Sequence, residues 1–435
     1  MNFVSTRGAS PPAGFDTALL AGLAADGGLY VPERLPDFQP EDFDGCSNLP
    51  EVATRLLAPF FQGSELAPQL AAICAEAFDF PVPLVPLAAT SNTSLLELFH
   101  GPTAAFKDIG ARFLAACMAR LHRGERKLTI LVATSGDTGA AVAAAFHRRA
   151  GLRVVILYPD GRVSPRQAHQ LGCFGDNVET FKVAGTFDDC QRLVKQALAD
   201  RDLQEQVPLS SANSISLGRL LPQMSYYAMA ALSHWRETGR SLGFVIPTGN
   251  LGNAMAAILA RAMGLPIGRI ALATNANRVL PAFFDGGDYA PQSSISTLAN
   301  AMDVGAPSNF ERLRWLYLDD ATLRASFIVR AIDDDEIRRT ISDAAGRHEV
   351  VLCPHTACAL AMLQSLRSSA DDADYAIVAT AHPAKFEQVV DPLLDRSVPV
   401  PAALGELLDR PAHATPLWMD YAAFSAALSA GSPAD

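Results

Sequence analysis

The sequence predicts an α/β fold in which two open, mainly parallel sheets, each flanked by helices, form two lobes around a cleft. After residue 90, short apolar runs rich in β-branched residues alternate with longer helical patterns. Two of these runs are followed by a glycine-bearing turn and an alanine-rich helix. Strand, turn, helix and strand in this order are typical of β-α-β units with parallel strands. Residues 1–80 show helical segments joined by loops, which adds a mostly helical N-terminal domain.

The elements follow in chain order from these patterns. A proline-rich stretch, FPVPLVPLAATSN (80–92), interrupts the helical pattern and marks a domain junction. The predicted strands are KLTILVAT (127–134), LRVVILYP (152–159), LGFVIPT (242–248), GRIALATN (268–275) and DYAIVATA (374–381). We therefore place an N-terminal domain at 1–90, a smaller α/β lobe at 91–205 and a larger α/β lobe at 206–435.

Composition and charge restrict the class of protein. The 435 residues are 49% hydrophobic, and the net charge of -11 argues against non-specific binding of nucleic acid. No apolar run is long enough for a membrane helix, and the N-terminus lacks the apolar core of a signal peptide. The seven cysteines form no C-x-x-C pair, so no metal site is indicated. These features predict a cytoplasmic protein without a nucleic-acid or membrane partner. The sequence does not define the oligomeric state, and we expect a monomer or homodimer.

The strongest candidate for a phosphate site is the stretch PTGNLGN (247–253), between an apolar strand and an alanine-rich helix. Its glycines and asparagines let backbone N–H groups turn inward, and the helix N-terminus favours an anion. The stretch lacks the Lys-Ser/Thr of an ATP-binding loop, so a nucleotide is not indicated. A tight turn without a ligand explains the motif about as well. The candidate phosphate-binding residues are Gly249, Asn250, Leu251, Gly252 and Asn253.

A second strand-to-helix turn, ATSGDTGAA (133–141), contains Thr134, Ser135, Asp137 and Thr138. Hydroxyl and free N–H groups at a helix N-terminus are suited to hold a carboxylate. Helix capping by Ser135 or Asp137 is the alternative. Capping needs only one such residue and this turn has four, which favours a ligand-binding loop.

Lys107 lies in GPTAAFKDIG (101–110), an apolar setting at the start of a predicted helix. Many lysines only cover apolar surface with their stems. Burial, however, lowers the pKa of a lysine and makes the neutral amine available as a nucleophile or base. A nucleophilic lysine together with a phosphate turn that is not a nucleotide loop indicates pyridoxal phosphate, and the predicted cleft is then a cofactor cleft. Thr380, at the end of the strand in VATAHPAKF (378–386), is either a plain strand residue or a neutral partner of the pyridine nitrogen.

Several longer motifs resemble one known family. In chain order they are STRGA, DGGLYVPERLP, LELFHGPTAAFKDIGARF, TILVATSGDTGAAVAAAF, VVILYPDGRVSPRQ, NSISLGRLLPQ, IPTGNLGNAMAAILA, NAMDVGAPSNFERL and TAHPAKF. Together they cover nearly the whole chain, and they resemble the threonine synthases of the bacterial and fungal branch with an extra N-terminal domain. The resemblance implies a pyridoxal-phosphate enzyme of the tryptophan-synthase-β-like class. It also implies the conversion of O-phospho-L-homoserine and water into L-threonine and phosphate.

The resemblance also implies roles for individual residues. Lys107 becomes the Schiff-base lysine and general base, and Thr380 faces the ring nitrogen. The cofactor phosphate is held by the turn Gly249, Asn250, Leu251, Gly252 and Asn253. Many relatives in the wider class have asparagine at the position of Asp137, where it contacts the ring hydroxyl. A carboxylate there repels a phenolate unless one of the two is protonated, which leaves the contact of Asp137 open.

The substrate has its own carboxylate and phosphate to be bound. Thr134, Ser135 and Thr138 are the candidates for the carboxylate. For the phosphate, the resemblance favours Ser214 and Arg219 with Asn213, and less strongly Arg162 and Ser164. An arginine fork matches a phosphomonoester, although a plain exposed charge explains Arg162 about as well.

Two other functions stay open on the sequence. Another dehydratase or phospholyase that uses pyridoxal phosphate would share most of these motifs. A non-catalytic, amino-acid-sensing relative is expected to have lost the lysine or the phosphate turn, and this chain has both.

Overall fold

The computed structural model describes residues 1–90 and 92–430, and within them the strands form a three-stranded, a six-stranded and a five-stranded sheet. We call these the N-terminal, the larger and the smaller sheet. The strands are β1 (Asn2–Ser5), β2 (Ala13–Gly14), β3 (Tyr30–Pro32), β4 (Leu84–Pro86), β5 (Thr93–Glu97), β6 (Leu128–Ala133), β7 (Leu152–Pro159), β8 (Val178–Val183), β9 (Leu209–Ser211), β10 (Leu242–Pro247), β11 (Ile267–Thr274), β12 (Ile328–Ala331), β13 (Tyr375–Ala379) and β14 (Thr415–Leu417).

The helices connect and cover these sheets. They are α1 (Phe15–Ala21), α2 (Leu49–Leu57), α3 (Leu70–Ala77), α4 (Lys107–Leu121), α5 (Asp137–Phe146), α6 (Pro165–Gly172), α7 (Phe187–Ala199), α8 (Arg201–Gln206), α9 (Leu217–Leu220), α10 (Met224–Thr238), α11 (Gly252–Ala262), α12 (Val279–Phe284), α13 (Phe310–Leu316), α14 (Asp320–Ala325), α15 (Asp334–Arg347), α16 (Pro354–Ser368), α17 (Glu387–Leu394), α18 (Ala402–Leu408) and α19 (Tyr421–Ala430). Short 3₁₀ helices lie at Pro40–Phe43, Ala58–Phe61, Ala67–Gln69, Leu221–Gln223, Asn300–Met302 and Pro383–Phe386.

The N-terminal segment is mostly helical, as predicted, but it also contains a small antiparallel sheet. Its order is β2-β1-β3, with β1 in the middle. The amphipathic helix α2 buries Val52, Leu56 and Leu57, which join the same hydrophobic core as α4 and α10. Through this shared core the N-terminal segment packs against α4, the helix that begins at Lys107.

The two predicted α/β lobes are confirmed. The larger sheet has the order β12-β11-β10-β13-β5-β4, and only β4 is antiparallel to its neighbour. The smaller sheet has the order β14-β8-β7-β6-β9 and is parallel throughout. All five strands named from the sequence are present within a residue or two of their expected limits.

Strand membership crosses the limits that we drew for the two lobes. β5, placed from sequence in the smaller lobe, pairs with β13 of the larger sheet. β9 and β14, both after residue 205, extend the smaller sheet at its two edges. Parallel strands need long crossover connections, so neighbours in a sheet can come from distant parts of a chain. The boundary at 90/91 falls at Ser91, which lies outside the described residues.

Two further findings concern the described part of the chain as a whole. No helix within residues 1–90 and 92–430 is long and apolar enough to span a bilayer. All seven cysteines are free thiols, and the described residues contain no cluster of three or more His, Cys, Asp or Glu side chains arranged to bind a metal ion.

Candidate active site

Lys107 is the first residue of α4, and the turn before it is fixed by a buried carboxylate. Asp108 accepts hydrogen bonds from the Thr103 backbone N–H at 2.9 Å and from its hydroxyl at 2.6 Å. A Cβ added to Gly101 would lie only 2.5 Å from the Asp108 side chain, so glycine is needed for the turn to close over it. The Phe106 N–H donates to the Thr380 carbonyl at 2.8 Å, which ties this turn to the end of β13.

The surroundings of Lys107 favour its neutral amine. Burial lowers the pKa of the Lys107 ammonium from 10.5 to about 8. The positive charges of Arg219 and Lys385 act in the same direction, whereas Asp137 raises the pKa. The positive end of the α4 dipole also disfavours a cation at the first helical position. The sequence-based expectation of a lysine with a lowered pKa is therefore matched by its electrostatic environment.

The turn after β10 has the backbone geometry of an anion site. A Cβ on Gly249 would lie 2.8 Å from the Met302 backbone, so no larger residue fits without a shift of the chain. Leu251 has a left-handed conformation with φ of 61°, which is uncommon for a residue with a side chain. The next residue, Gly252, begins α11, so the N-terminus of that helix faces the turn.

The asparagines of the turn are held by specific partners. The Asn253 side-chain oxygen accepts hydrogen bonds from the hydroxyls of Tyr226 and Tyr227, the latter at 2.8 Å. These bonds orient the amide, and its Nδ2 is buried without a partner within the described residues. Asn250 Nδ2 donates to the Ser214 hydroxyl at 2.6 Å. The phosphate turn is thereby joined to the NSISLGR segment.

The second turn lies between β6 and α5. The Thr134 hydroxyl accepts hydrogen bonds from the N–H groups of Gly136 and Gly139, at 3.0 and 2.9 Å. The capping role that the sequence offered to Ser135 or Asp137 is thus filled by Thr134. Ser135 and Thr138 both line the larger of the two cavities described below.

Asp137 lies in a buried polar network. Its Oδ1 forms an ion pair with Lys385 Nζ at 2.8 Å and accepts a hydrogen bond from Gln167 Nε2 at 3.0 Å. Burial by itself raises the pKa of this carboxyl. The charge of Lys385, the charge that His355 carries at low pH and the two hydrogen bonds outweigh burial and lower the pKa to about 2. Asp137 is therefore ionised, and its counter-ion is a lysine that the sequence analysis did not single out.

These groups surround two adjoining cavities. The smaller is lined by Lys107, Asp137, Ser214, Arg219, the turn Gly249–Asn253, His355 and Thr380. The larger, of about 790 Å³, is lined by Lys107, Thr134, Ser135, Thr138, Asn213, Ser214 and Asn250. Lys107, Ser214 and Asn250 contribute to both. The structure thus brings most of the predicted site residues to one cleft.

Two predicted residues lie apart from both cavities. Arg162 is exposed on a loop and lines neither of them. Ser164 caps α6, because its hydroxyl accepts from the Gln167 N–H at 3.1 Å, and it donates to the Lys385 carbonyl at 2.9 Å. Because neither residue lines a cavity, their positions give no support to the predicted contact with a substrate.

Sequence reasoning missed several polar residues of the cleft, among them three basic ones and a histidine. Arg7 and Lys195 line the larger cavity, and His355 lines the smaller one. Lys385 is covered completely behind Asp137. Arg7 and Lys385 are part of quoted motifs, STRGA and TAHPAKF, which was the available signal. Lys195 and His355 had no such signal, since only the fold turns them towards the cleft.

The residues present fit pyridoxal phosphate. Asn253 Nδ2 is a buried polar atom without a partner within the described residues. Gly249 packs too closely against the Met302 backbone for a residue with a side chain, and Lys107 supplies an amine for the aldehyde. Thr380 adds a neutral hydroxyl to the lining of the same cavity. Fold, lysine and anion turn together define a pyridoxal-phosphate-dependent enzyme.

Comparison with known proteins agrees with this class of enzyme and identifies the family within it. The family model "Pyridoxal-phosphate dependent enzyme" matches residues 78–381, "Threonine synthase N terminus" matches 2–78, and "Threonine synthase, C-terminal" matches 356–427. The chain belongs to the threonine synthase family.

Individual relatives match along nearly their whole lengths. The threonine synthase of Serratia marcescens is 39% identical over 90% of both chains. A crystal structure of threonine synthase from Escherichia coli has a TM-score of 0.91 at 35% identity, covering 99% of this chain and 100% of that one. A structure of threonine synthase from Brucella melitensis with bound pyridoxal phosphate has a TM-score of 0.90 at 36% identity over the full length of both.

Proposed function

We propose that this protein converts O-phospho-L-homoserine and water into L-threonine and phosphate, with pyridoxal phosphate held in the smaller cavity. The observation that carries the proposal is the shared position of Lys107, Ser214 and Asn250 in both cavities. A substrate in the larger cavity would thus meet the amine and a phosphate-binding segment together.

We assign the cofactor phosphate to the turn Gly249–Asn253. The assignment is supported by the α11 N-terminus, by the close approach at Gly249 and by the free Nδ2 of Asn253. A phosphate dianion at a helix N-terminus is stabilised by the backbone N–H groups and by the helix dipole.

The substrate is assigned to the larger cavity, with its carboxylate and phosphate at separate places. Ser135, Thr138 and the N-terminus of α5 would hold the carboxylate, while Thr134 keeps the turn in shape. Ser214, which lines both cavities, and Arg219, which lines the smaller one, would hold the phosphate where the two cavities adjoin. Arg219 is buried, its Nη1 donates to the Ala212 carbonyl at 2.7 Å, and its Nε lacks a partner within the described residues.

Pyridoxal phosphate supplies an electron-withdrawing ring that stabilises negative charge on substrate carbons. Lys107, as a neutral amine, would take the α proton of the substrate, because its lowered pKa of about 8 leaves roughly a tenth of it unprotonated at about pH 7, against about 0.03% for an ordinary lysine. Thr380 would face the ring nitrogen with a hydroxyl, which cannot keep that nitrogen protonated as a carboxylate would. The released phosphate, held by Ser214 and Arg219, would orient the water that attacks the β carbon.

The experiment that tests the proposal is product analysis. The purified holoenzyme is mixed with O-phospho-L-homoserine, and phosphate, threonine and ketoacid are measured over time. Equal amounts of phosphate and threonine support the proposed reaction. Phosphate with ketoacid and no threonine would instead support a phospholyase, the alternative left open by the sequence.

Two expectations concern the protein in its surroundings. We infer a cytoplasmic enzyme, supported by the free cysteines and by the lack of a membrane-spanning helix within the described residues. We keep the prediction of a monomer or homodimer, which sedimentation of the purified protein would measure.

A further inference from the structure

Lys385 is a fully buried lysine without a role in the reaction described above. It has no accessible surface and lies in the 3₁₀ helix Pro383–Phe386, shortly after β13. Its Nζ contacts Asp137 Oδ1 at 2.8 Å and donates to the Thr103 carbonyl at 2.8 Å. Burial of an ammonium group is costly unless it is paired and hydrogen-bonded, so its position depends on these two contacts.

The carboxylate that Lys385 pairs with faces the cofactor cavity on its other side. Both donors to Asp137, from Lys385 and from Gln167, bind the same oxygen, Oδ1. No hydrogen bond within the described residues reaches Oδ2, and Asp137 lines the smaller cavity together with Lys107 and Thr380. One oxygen is therefore held by the protein, and the other is left for a ligand.

The remaining titratable groups near Asp137 do not replace Lys385 as the counter-ion. His355 Nε2 accepts a hydrogen bond from the Ala301 N–H at 3.1 Å, and burial lowers its pKa to about 4, so it is uncharged at neutral pH. The Cys353 thiol lies 3.9 Å from His355 Nδ1, and burial raises its pKa. Asp108, whose charge also acts on Lys385, is held by the Thr103 N–H and hydroxyl, and Lys107 is the residue assigned to the cofactor aldehyde.

We propose that Lys385 is a positioning residue that makes the Asp137 wall of the cavity electrically neutral, so that Asp137 Oδ2 accepts a hydrogen bond from the cofactor's ring hydroxyl. A lone carboxylate at this place would repel an anionic ring oxygen. The ion pair has no net charge, and Gln167 fixes its orientation. The proposal rests on the assignment of pyridoxal phosphate to the smaller cavity.

The pair makes a specific prediction for the variant Lys385→Met. Without its counter-ion, Asp137 is a buried carboxyl whose pKa rises towards or above neutrality. At low pH the Asp137 carboxyl of this variant is protonated and neutral, so it does not disturb cofactor binding. At high pH it becomes an unpaired anion beside the cofactor. We expect the cofactor affinity of this variant to fall roughly tenfold between about pH 6 and about pH 9 relative to the unmodified protein. The visible absorption of the bound cofactor should change with the same midpoint.

The double variant Asp137→Asn with Lys385→Met separates this role from a merely structural one. It removes both charges of the pair, so we expect the pH profiles of affinity and absorption to follow those of the unmodified protein again. Lys127→Met, at an exposed lysine, is the matched control and should leave both profiles unchanged. If Lys385→Met does not fold, Lys385→Gln, which can still donate to the Thr103 carbonyl, takes its place and should show the same dependence.

The measurements are made on holoenzyme, by its visible spectrum and by cofactor release on dilution at each pH. A Lys385→Met profile parallel to that of the unmodified protein would overturn the inference. So would a double variant that keeps the pH dependence of Lys385→Met. An unmodified protein that binds no cofactor would refute the proposed function, which distinguishes the two failures.

Discussion

The lowered pKa of Lys107 predicts an unusual reactivity in the cofactor-free protein. With a pKa of about 8 rather than 10.5, about half of the Lys107 amines are neutral at about pH 8, against about 0.3% for an ordinary lysine, a ratio of about 150. Competitive labelling with a trace of acylating reagent across a pH series, read by mass spectrometry of each lysine peptide, measures this fraction. The exposed residues Lys127 and Lys195 of the same chain report the reagent's own pH dependence.

Two substitutions check the cause of this shift. Arg219→Leu removes a nearby cation and should raise the midpoint of Lys107 labelling, whereas Asp137→Asn removes an anion and should lower it. A midpoint near 10.5 in the unmodified protein would refute the argument, since it would mean that the amine is solvated. If the midpoint of Lys107 labelling shifts in the same direction in both variants, conformation and not charge controls the reactivity.

Three more substitutions test the remaining assignments. Lys107→Ala should abolish threonine formation and the borohydride-reducible absorbance of the cofactor; threonine formed at the unmodified rate contradicts the role of Lys107. Gly249→Ala places a Cβ 2.8 Å from the Met302 backbone and should weaken cofactor binding more than tenfold, measured by equilibrium dialysis, with the spectrum of the remaining holoenzyme as the control. Arg219→Ala should raise KM for O-phospho-L-homoserine at least tenfold with cofactor retained, and loss of cofactor would assign Arg219 to the other phosphate.

Local sequence signals were sufficient for the parts of the site that each lie on one strand-to-helix turn. The Gly249–Asn253 turn and the start of α4 at Lys107 were both predicted, since glycine spacing, apolar runs and helical periodicity are properties of contiguous residues. The N-terminal sheet was not predicted, because β2 and β3 are only two and three residues long. A run of two or three residues is too short to show the alternation of apolar and polar side chains that identifies a strand.

The parts that were missed depend on contacts between distant residues. Lys385 follows β13 in the larger sheet, and Asp137 begins the helix after β6 in the smaller one. A lysine in TAHPAKF could be quoted as part of a motif, but its burial and its pairing become visible only when the two sheets face each other. The same holds for β14, which joins the smaller sheet from near the end of the chain.

The negative net charge of the whole protein differs from the local charge at the site, where Arg219 is a buried cation. A chain with net charge -11 would be expected to repel a substrate that carries a phosphate dianion. Beside the smaller cavity, however, Lys385 is paired with Asp137, and Lys107 is the amine that we assign to the cofactor. Arg219 is then the cation left without a paired carboxylate in contact, and burial limits its screening by salt. This is the physical reason to assign the substrate phosphate to Arg219, since a buried guanidinium with a free Nε and no carboxylate in contact is stabilised further when an anion binds.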